Sequence, residues 1–289
     1  MSMNVLTLNP HGYCLGVHAA IDIAKKAKAD HPDANVYLLG MLVHNEGTMA
    51  DLSALGLIPI DETKESLLDA LFDMKKGDVV VFSAHGHPAA YDDIATSRGL
   101  IPVDATCRYV KENQSAGEKA TTPLIYVGVA GHLEAEAFLA NVPEALFYDV
   151  KSHSGELLGL VSKTDSPTII TQTTLSGEEI EQALAHIRTL FPHAKLEKER
   201  CHSTSLRQKA MASLPSSIDC VIVLGSSRSN NSLKLAEIAS KQGYETHLCL
   251  GLEEVRKLDL SQKKSVALSS GASTSEETYQ EVLTYLRAL

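Results

Sequence analysis

Short runs of apolar and β-branched residues alternate along the whole chain with longer stretches in which apolar residues recur every three or four positions. The short runs are typical of buried strands and the longer stretches of helices. Eight runs predict strands, at residues 5–8, 36–40, 79–84, 100–103, 124–130, 168–172, 220–225 and 265–270. Near-continuous apolar strands that alternate with helices predict an α/β protein with parallel sheets covered by helices.

Helical spacing is clearest in the second half of the chain. The stretch 175–190 has apolar residues at helical positions, and its Ser176 and Glu179 have the spacing of a capping box. Two further helices are predicted, one running from Asn231 past Ile238 and one at 275–289.

Residues that can donate or accept hydrogen bonds follow nearly every predicted strand. Ligands of parallel α/β sheets bind beyond the carboxyl ends of the strands. The recurrence therefore predicts one central cavity lined by small polar groups. Its candidate residues are His44, His85, His132, Glu134, Thr173, Ser229, Asn230, Asn231 and Ser273.

Structural alternatives exist for single members of this set. Thr174, Asn231 and Ser273 could each be a helix N-cap and nothing more. A lone histidine at a strand end is more often a hydrogen-bonded structural residue than a ligand. Glu134 could be an exposed carboxylate in the first turn of a helix.

The five cysteines fall into two groups. Cys220 and Cys249 lie inside apolar runs and are predicted core residues. Cys14, Cys107 and Cys201 each lie in a turn before a helical pattern, and they are separated by 93 and 94 residues. This spacing predicts three similar α/β units with pseudo-threefold symmetry and one cysteine per junction. The predicted boundaries are 1–106 (with the N-terminal strand and Cys14), 107–200 and 201–289.

Three cysteines at helix starts favour an iron–sulfur cluster. A helix N-terminus stabilises the thiolate, which is the form that binds metal. Three thiolates suit a cluster in which one iron has no protein ligand. Structural zinc would need a fourth close ligand, usually within a Cys-x₂-Cys pair, and the sequence has no such pair.

The composition limits the classes of molecule that this chain is expected to bind. The formal net charge of −10 argues against a nucleic-acid binder, so an anionic substrate would be held by hydroxyls, amides, imidazoles and backbone N–H groups. No run of apolar residues is long enough for a membrane span, and no secretory signal is recognisable at the N-terminus. We therefore expect a cytoplasmic protein.

The motifs together resemble the LytB-type hydroxymethylbutenyl diphosphate reductases, the last enzymes of the non-mevalonate isoprenoid route. The matching segments occur in family order and are NPHGYCLGV (9–17), VHN (43–45), FSAHG (82–86), DATC (104–107), AGHLEAE (130–136), TQTTL (171–175), CHSTSLRQ (201–208), GSSRSNNSLKLAEIA (225–239) and SSGAS (269–273).

The resemblance implies a trefoil of three α/β units around a [4Fe–4S] cluster on Cys14, Cys107 and Cys201. It implies a diphosphate site built from the histidines, serines and asparagines named above. It implies that Glu134, near Thr173 and His132, supplies protons while an external donor such as ferredoxin or flavodoxin supplies electrons. The product would be isopentenyl and dimethylallyl diphosphate.

Several residues depart from the family pattern. Arg108 follows DATC where the family usually has Pro, Leu133 replaces the Pro of GHPE, and His87-Pro88-Ala89 replaces Val-Ser-Pro. The chain also lacks the C-terminal tail that many members carry beyond the last helix. Two alternatives therefore stay open: a paralogue that acts on another small anionic substrate, and a non-catalytic iron–sulfur redox or sensor protein.

Overall fold

The computed structural model describes residues 3–161, 164–197 and 201–289. Within these ranges strands and helices alternate from start to end. The strands are β1 (Asn4–Thr7), β2 (Val36–Leu39), β3 (Leu57–Ile60), β4 (Val79–Phe82), β5 (Ile101–Asp104), β6 (Leu124–Gly128), β7 (Leu146–Asp149), β8 (Thr168–Thr171), β9 (Lys195–Leu196), β10 (Cys220–Leu224), β11 (Glu245–Cys249) and β12 (Ser265–Ser270).

The helices of the described residues are α1 (Leu15–Asp30), α2 (Glu46–Ala54), α3 (Leu67–Asp73), α4 (Ala90–Ser97), α5 (Arg108–Glu118), α6 (Leu133–Asn141), α7 (Leu158–Val161), α8 (Gly177–Leu190), α9 (His202–Ala212), α10 (Asn230–Lys241), α11 (Leu252–Val255) and α12 (Glu276–Ala288). None of them has the length and apolar character needed to cross a bilayer. Ser176 and Glu179 form the predicted capping box at the start of α8.

The strands form three four-stranded sheets, and all pairings between these strands are parallel. The strand orders are β1-β12-β10-β11, β3-β2-β4-β5 and β7-β6-β8-β9. The predicted α/β class with three similar small units is confirmed.

The three sheets share one strand order. In the sheet that starts with β2, the first strand lies between the second and the third, and the fourth lies beyond the third; β6–β9 repeat this order. The strands β10, β11 and β12 repeat it again, but their fourth strand is β1. The repeat is therefore architectural, and the N-terminal strand completes the last copy.

The chain divides into two compact units. The first comprises Met1–His18, Val43–Leu55 and His202–Leu289, and it holds the β1-β12-β10-β11 sheet. The second comprises Ala19–Leu42 and Gly56–Cys201, and it holds the other two sheets. The boundaries after residues 106 and 200 stay a prediction. The N-terminal strand, expected in the first unit of that prediction, pairs with β12, with Asn4 opposite Ser265. A short apolar strand carries no mark of its partner, so its own sequence could not reveal this pairing.

Strand β10 shows why these strands are apolar throughout. Cys220, Ile222 and Leu224 face a core that includes residues of α12. Val221 and Val223 face a second core, with residues of α9 and α10, on the opposite side of the sheet. Because helices cover both faces, every position of the strand is buried and no polar alternation appears.

Candidate active site

The three candidate ligand cysteines occupy equivalent positions in the three repeats. Cys14 follows β1, Cys107 follows β5 and Cys201 follows β9, which are the fourth strands of their sheets. Each cysteine immediately precedes the first residue of a helix, namely α1, α5 or α9. All three thiols are partly exposed. The predicted turn positions before helices are therefore confirmed, and metal binding by these residues stays a prediction.

The backbone around Cys14 is fixed by hydrogen bonds inside the first unit. The Cys14 sulfur accepts the Val17 N–H at 3.5 Å, as expected for a thiol at a helix N-terminus. The Cys14 N–H donates to the Ala272 carbonyl at 3.0 Å. Two residues earlier, the Gly12 N–H donates to Ser270 Oγ at 2.9 Å. The cysteine loop is thus bound to the segment that follows β12.

Arg207 holds the same loop from the side of α9. Its side chain is 2% exposed. The guanidinium donates to the Gly12 carbonyl at 2.6 Å, to Ser203 Oγ at 2.8 Å and to the Ser270 carbonyl at 3.3 Å. The sequence pattern does not predict this role, although Arg207 lies in the CHSTSLRQ segment.

The other two cysteines are buried strand residues, as predicted. Burial raises the pKa of Cys220 and that of Cys249 to about 11. Cys220, Glu245 and His247 bring one potential metal-ligand atom each to within 4.8 Å of one another. However, Glu245 already pairs with Lys263 and with His247, and a thiol of raised pKa is a poor source of thiolate.

Glu134 is a buried carboxyl group with fixed partners. It is 3% exposed, so its interpretation as an exposed first-turn carboxylate is wrong. Its Oε1 accepts the Thr173 N–H at 2.8 Å and lies 3.5 Å from the Tyr126 hydroxyl, and its Oε2 accepts the Thr173 hydroxyl at 2.8 Å. Burial raises the pKa of Glu134 to about 7 although these hydrogen bonds lower it.

His132 and His85 lie beside this group in the second unit. His132 Nδ1 accepts the Glu134 N–H at 3.1 Å and thereby caps α6. In the neutral ring this contact places the hydrogen on Nε2, which makes that nitrogen a donor. The His85 ring meets the His132 ring edge to face, with centroids 5.5 Å apart. The structure therefore brings together four of the predicted residues: His85, His132, Glu134 and Thr173.

The first unit contains the remaining predicted polar residues. Ser229 is the N-cap of α10 and accepts the Ser232 N–H at 3.3 Å, while Asn230 and Asn231 form the first turn. Both polar side-chain atoms of Asn231 are buried and have no hydrogen-bond partner within the described parts of the chain. Buried amides without a partner are rare and indicate a site for a ligand or water.

Ser273 and His44 are connected within the same unit. The Ser273 hydroxyl donates to the His44 carbonyl at 3.2 Å. Ser273 does not cap a helix, because Ser275 caps α12; likewise Ser176 caps α8 and Ser229 caps α10. The interpretation of Thr174, Asn231 and Ser273 as N-caps is therefore wrong.

Comparison with known proteins identifies the family. The family model described as LytB protein matches residues 5–287. A relative from Acidithiobacillus ferrooxidans is 33% identical over 290 residues, which is 99% of this chain and 89% of the relative. A relative from Geobacillus thermodenitrificans is 32% identical over 289 residues, with coverage of 98% and 90%. Both are named 4-hydroxy-3-methylbut-2-enyl diphosphate reductase.

Two solved structures agree with this result. The E-1-hydroxy-2-methyl-but-2-enyl-4-diphosphate reductase from Plasmodium falciparum has a TM-score of 0.82 at 26% identity, over 99% of this chain and 88% of that one. A second reductase structure, at 24% identity and a TM-score of 0.70, shares the fold over 99% of this chain and 100% of that one. This α/β chain belongs to the LytB family.

Proposed function

We propose that this chain is a 4-hydroxy-3-methylbut-2-enyl diphosphate reductase that carries a [4Fe–4S] cluster on Cys14, Cys107 and Cys201. The observation that carries the proposal is the buried Glu134, whose pKa of about 7 keeps a proton available near neutral pH. An electron-transfer module has no use for a proton donor of this kind, whereas a reductase that releases water needs one.

The three cysteines fit the cluster chemically. They are partly exposed thiols that immediately precede helices, at equivalent positions of a threefold repeat. Cys220 and Cys249, whose thiols burial keeps protonated, do not fit it. When bound, a cluster with three cysteine ligands supplies electrons and an open iron that polarises an oxygen atom.

Glu134 and Thr173 are proposed to move a proton. The reaction replaces a C–OH bond by C–H and releases water, so it consumes two electrons and two protons. Protonation of Glu134 falls on Oε2, because Oε1 faces the Thr173 N–H, which cannot turn away. The Thr173 hydroxyl then accepts from Oε2 and directs its own hydrogen onward, since a hydroxyl rotates freely. The electrons come from an external carrier of the ferredoxin or flavodoxin type.

Diphosphate is proposed to bind to neutral donors rather than to a basic patch. The buried Asn231 amide has unused hydrogen-bonding capacity, and the Ser229 hydroxyl accepts one hydrogen bond while its own hydrogen can serve a phosphate oxygen. The proposal adds His44, His85, His132, Asn230 and Ser273 to this set. The net charge of −10 agrees with recognition by local donors.

The departures from the family pattern do not favour another substrate. Leu133 is the first residue of α6 and Arg108 the first residue of α5. Proline is common at this position because the N–H there has no helical partner, but other residues are equally compatible with the helix. His87 stacks on Phe82 with centroids 3.8 Å apart and binds Asp92 at 2.9 Å. None of the three replacements removes a residue that the proposal uses.

Anaerobic turnover tests the proposal. The reconstituted protein, supplied with a chemical reductant and 4-hydroxy-3-methylbut-2-enyl diphosphate, is expected to form isopentenyl and dimethylallyl diphosphate. A protein with full iron and sulfide that binds inorganic diphosphate yet reduces no substrate would favour the paralogue with another anionic substrate. A protein that exchanges electrons but binds no diphosphate would favour the redox module.

A further inference from the structure

Three segments of the first unit meet at Thr48, two at its hydroxyl and one at its backbone N–H. They are the loop that carries Cys14, the loop after β2 with His44 and Asn45, and the loop after β12 with Ser273. Thr48 lies in the first turn of α2, where its N–H donates to Asn45 Oδ1 at 3.0 Å. It is 4% exposed.

The hydroxyl hydrogens of this cluster can be assigned. Thr48 Oγ1 donates to the Ser273 carbonyl at 3.0 Å. A threonine hydroxyl has one hydrogen, so in the contact of 3.1 Å between Tyr13 Oη and Thr48 Oγ1 the tyrosine is the donor. The chain of donors therefore runs from Tyr13 through Thr48 to the Ser273 backbone.

The hydrogen of Ser273 is engaged as well. Its hydroxyl donates to the His44 carbonyl at 3.2 Å, so it can offer only lone pairs to another group. To donate to a phosphate oxygen, the Ser273 hydroxyl must turn its hydrogen away from the His44 carbonyl. The bond from Thr48 to the Ser273 carbonyl holds the backbone during that rotation, so that only one torsion angle changes.

We propose that Thr48, oriented by Tyr13, is a positioning residue that fixes the backbone of Ser273 for diphosphate binding. The inference rests on the proposed function, since it assumes that Ser273 contacts the diphosphate. Thr48 does not touch the ligand in this role. A Ser273 loop that is already ordered loses less conformational entropy when the ligand binds. Thr48 therefore affects the affinity for diphosphate and not the rate of the chemical step.

Isosteric replacement tests this role. Thr48→Val keeps the shape but removes the hydroxyl, and the loss of both hydrogen bonds is expected to weaken binding of inorganic diphosphate by roughly tenfold, with a similar rise in KM and a kcat within about threefold of wild type. Thr48→Ser restores the hydroxyl and should restore affinity. Tyr13→Phe leaves the hydrogen bond from Thr48 to the Ser273 carbonyl in place and should have a smaller effect in the same direction.

Thr246→Val is the matched control. The Thr246 hydroxyl also donates to a single carbonyl, that of Tyr244 at 3.0 Å, on a strand remote in sequence from the predicted site residues. Calorimetry with inorganic diphosphate on cluster-loaded proteins measures affinity without turnover. Equal affinities of Thr48→Val and Thr246→Val for diphosphate, or failure of Thr48→Ser to restore binding, would overturn the inference.

If Thr48→Val does not fold or does not load its cluster, the inference is tested by comparing the diphosphate affinities of Tyr13→Phe and wild type. Equal affinities of these two proteins would then overturn it. Absence of substrate reduction by wild type, with the affinity pattern intact, would instead refute the proposed function.

Discussion

The behaviour of Glu134 follows from a balance between burial and hydrogen bonding. Burial disfavours the carboxylate, while the N–H and hydroxyl of Thr173 and the hydroxyl of Tyr126 favour it. Burial prevails, and the pKa lies at about 7. The proposed reaction needs such a group, because a carboxyl with an ordinary pKa would be fully ionised at neutral pH and could not act as an acid.

Glu134→Gln is expected to abolish most turnover. Glutamine keeps the shape and accepts the Thr173 N–H, but it cannot deliver a proton, so kcat should fall by roughly 10²–10⁴-fold. Cluster content and diphosphate affinity should stay near wild type. Glu136→Gln, on the exposed side of the same helix, is the control. Steady-state reduction by the cluster-loaded variants measures the effect, and near-normal turnover of Glu134→Gln would rule out the acid role.

The raised pKa of Glu134 also predicts a dependence of stability on pH. The folded state holds the proton up to a pH of about 7, whereas the ordinary value is 4.5. The carboxyl therefore contributes stability below pH 4.5 that is lost as the pH rises through 7, about 3 kcal/mol in total. Anaerobic unfolding at pH 5 and pH 8 should show a smaller loss for Glu134→Gln than for Glu136→Gln. An equal loss in both variants would contradict the assignment.

The sequence predicted the polar residues of the candidate site better than the residues that support them. His132, Glu134 and Thr173 follow predicted strands, so their positions at strand ends were evident. Tyr126 lies inside a predicted strand, and no sequence pattern marked the segment of Thr48. The contacts of Thr48 with Tyr13 and Ser273 join residues far apart in sequence. The periodicity of apolar residues describes only local structure, so it could not predict them.

At the level of elements, the eight predicted strands are present and four others were missed. The missed strands β3, β7, β9 and β11 all lie at sheet edges. Strand β9 has only two paired residues, and β3 contains Pro59, which suits an edge because it cannot donate a ladder hydrogen bond. Strands β9 (KL) and β11 (ETHLC) are partly exposed and lack the continuous apolar runs that mark the central strands, whereas the edge strands β1 and β5 have apolar runs and were predicted.

The position of each cysteine within its element predicts which thiols bind iron. Cys107 precedes the first residue of α5, whereas Cys220 lies in the central strand β10. Cys107→Ser is therefore expected to lose most of its iron and sulfide after anaerobic reconstitution, and Cys220→Ser to keep both. Serine keeps the side-chain volume, but its hydroxyl is unfavourable in the buried position of Cys220, so iron and sulfide are compared per folded protein. Iron and sulfide analysis of both variants measures the effect. Loss of the cluster in Cys220→Ser with retention in Cys107→Ser would refute the assignment.

At the scale of the whole molecule, the fold contains three copies of one four-stranded sheet. The first strand of the chain, β1, is the fourth strand of the last copy. Each repeat contributes four strands in one order, and its cysteine follows the fourth. Since β1 is the fourth strand of the last repeat, the first residues of the chain complete a sheet whose other strands lie near its end. The nearly equal spacing of the cysteines, 93 and 94 residues, follows from this repeat.

Removal of β1 should therefore damage the C-terminal sheet rather than the sheet of the segment that follows it. Deletion of residues 1–8 removes the parallel pairing of β1 with β12 and the bond from the Leu8 N–H to the Leu268 carbonyl. The amides of β12 should exchange hydrogen faster, while those of β2 and β4 keep their protection, because exchange reports local opening of each cooperative segment. Iron content should fall as well, because β1 leads into the loop that carries Cys14. Deletion of residues 1 and 2, which keeps the Met3 side chain on the core of the C-terminal sheet, is the control and should change neither quantity. Exchange in β2 that rises as much as exchange in β12 would show that the N-terminal strand supports the two compact units alike.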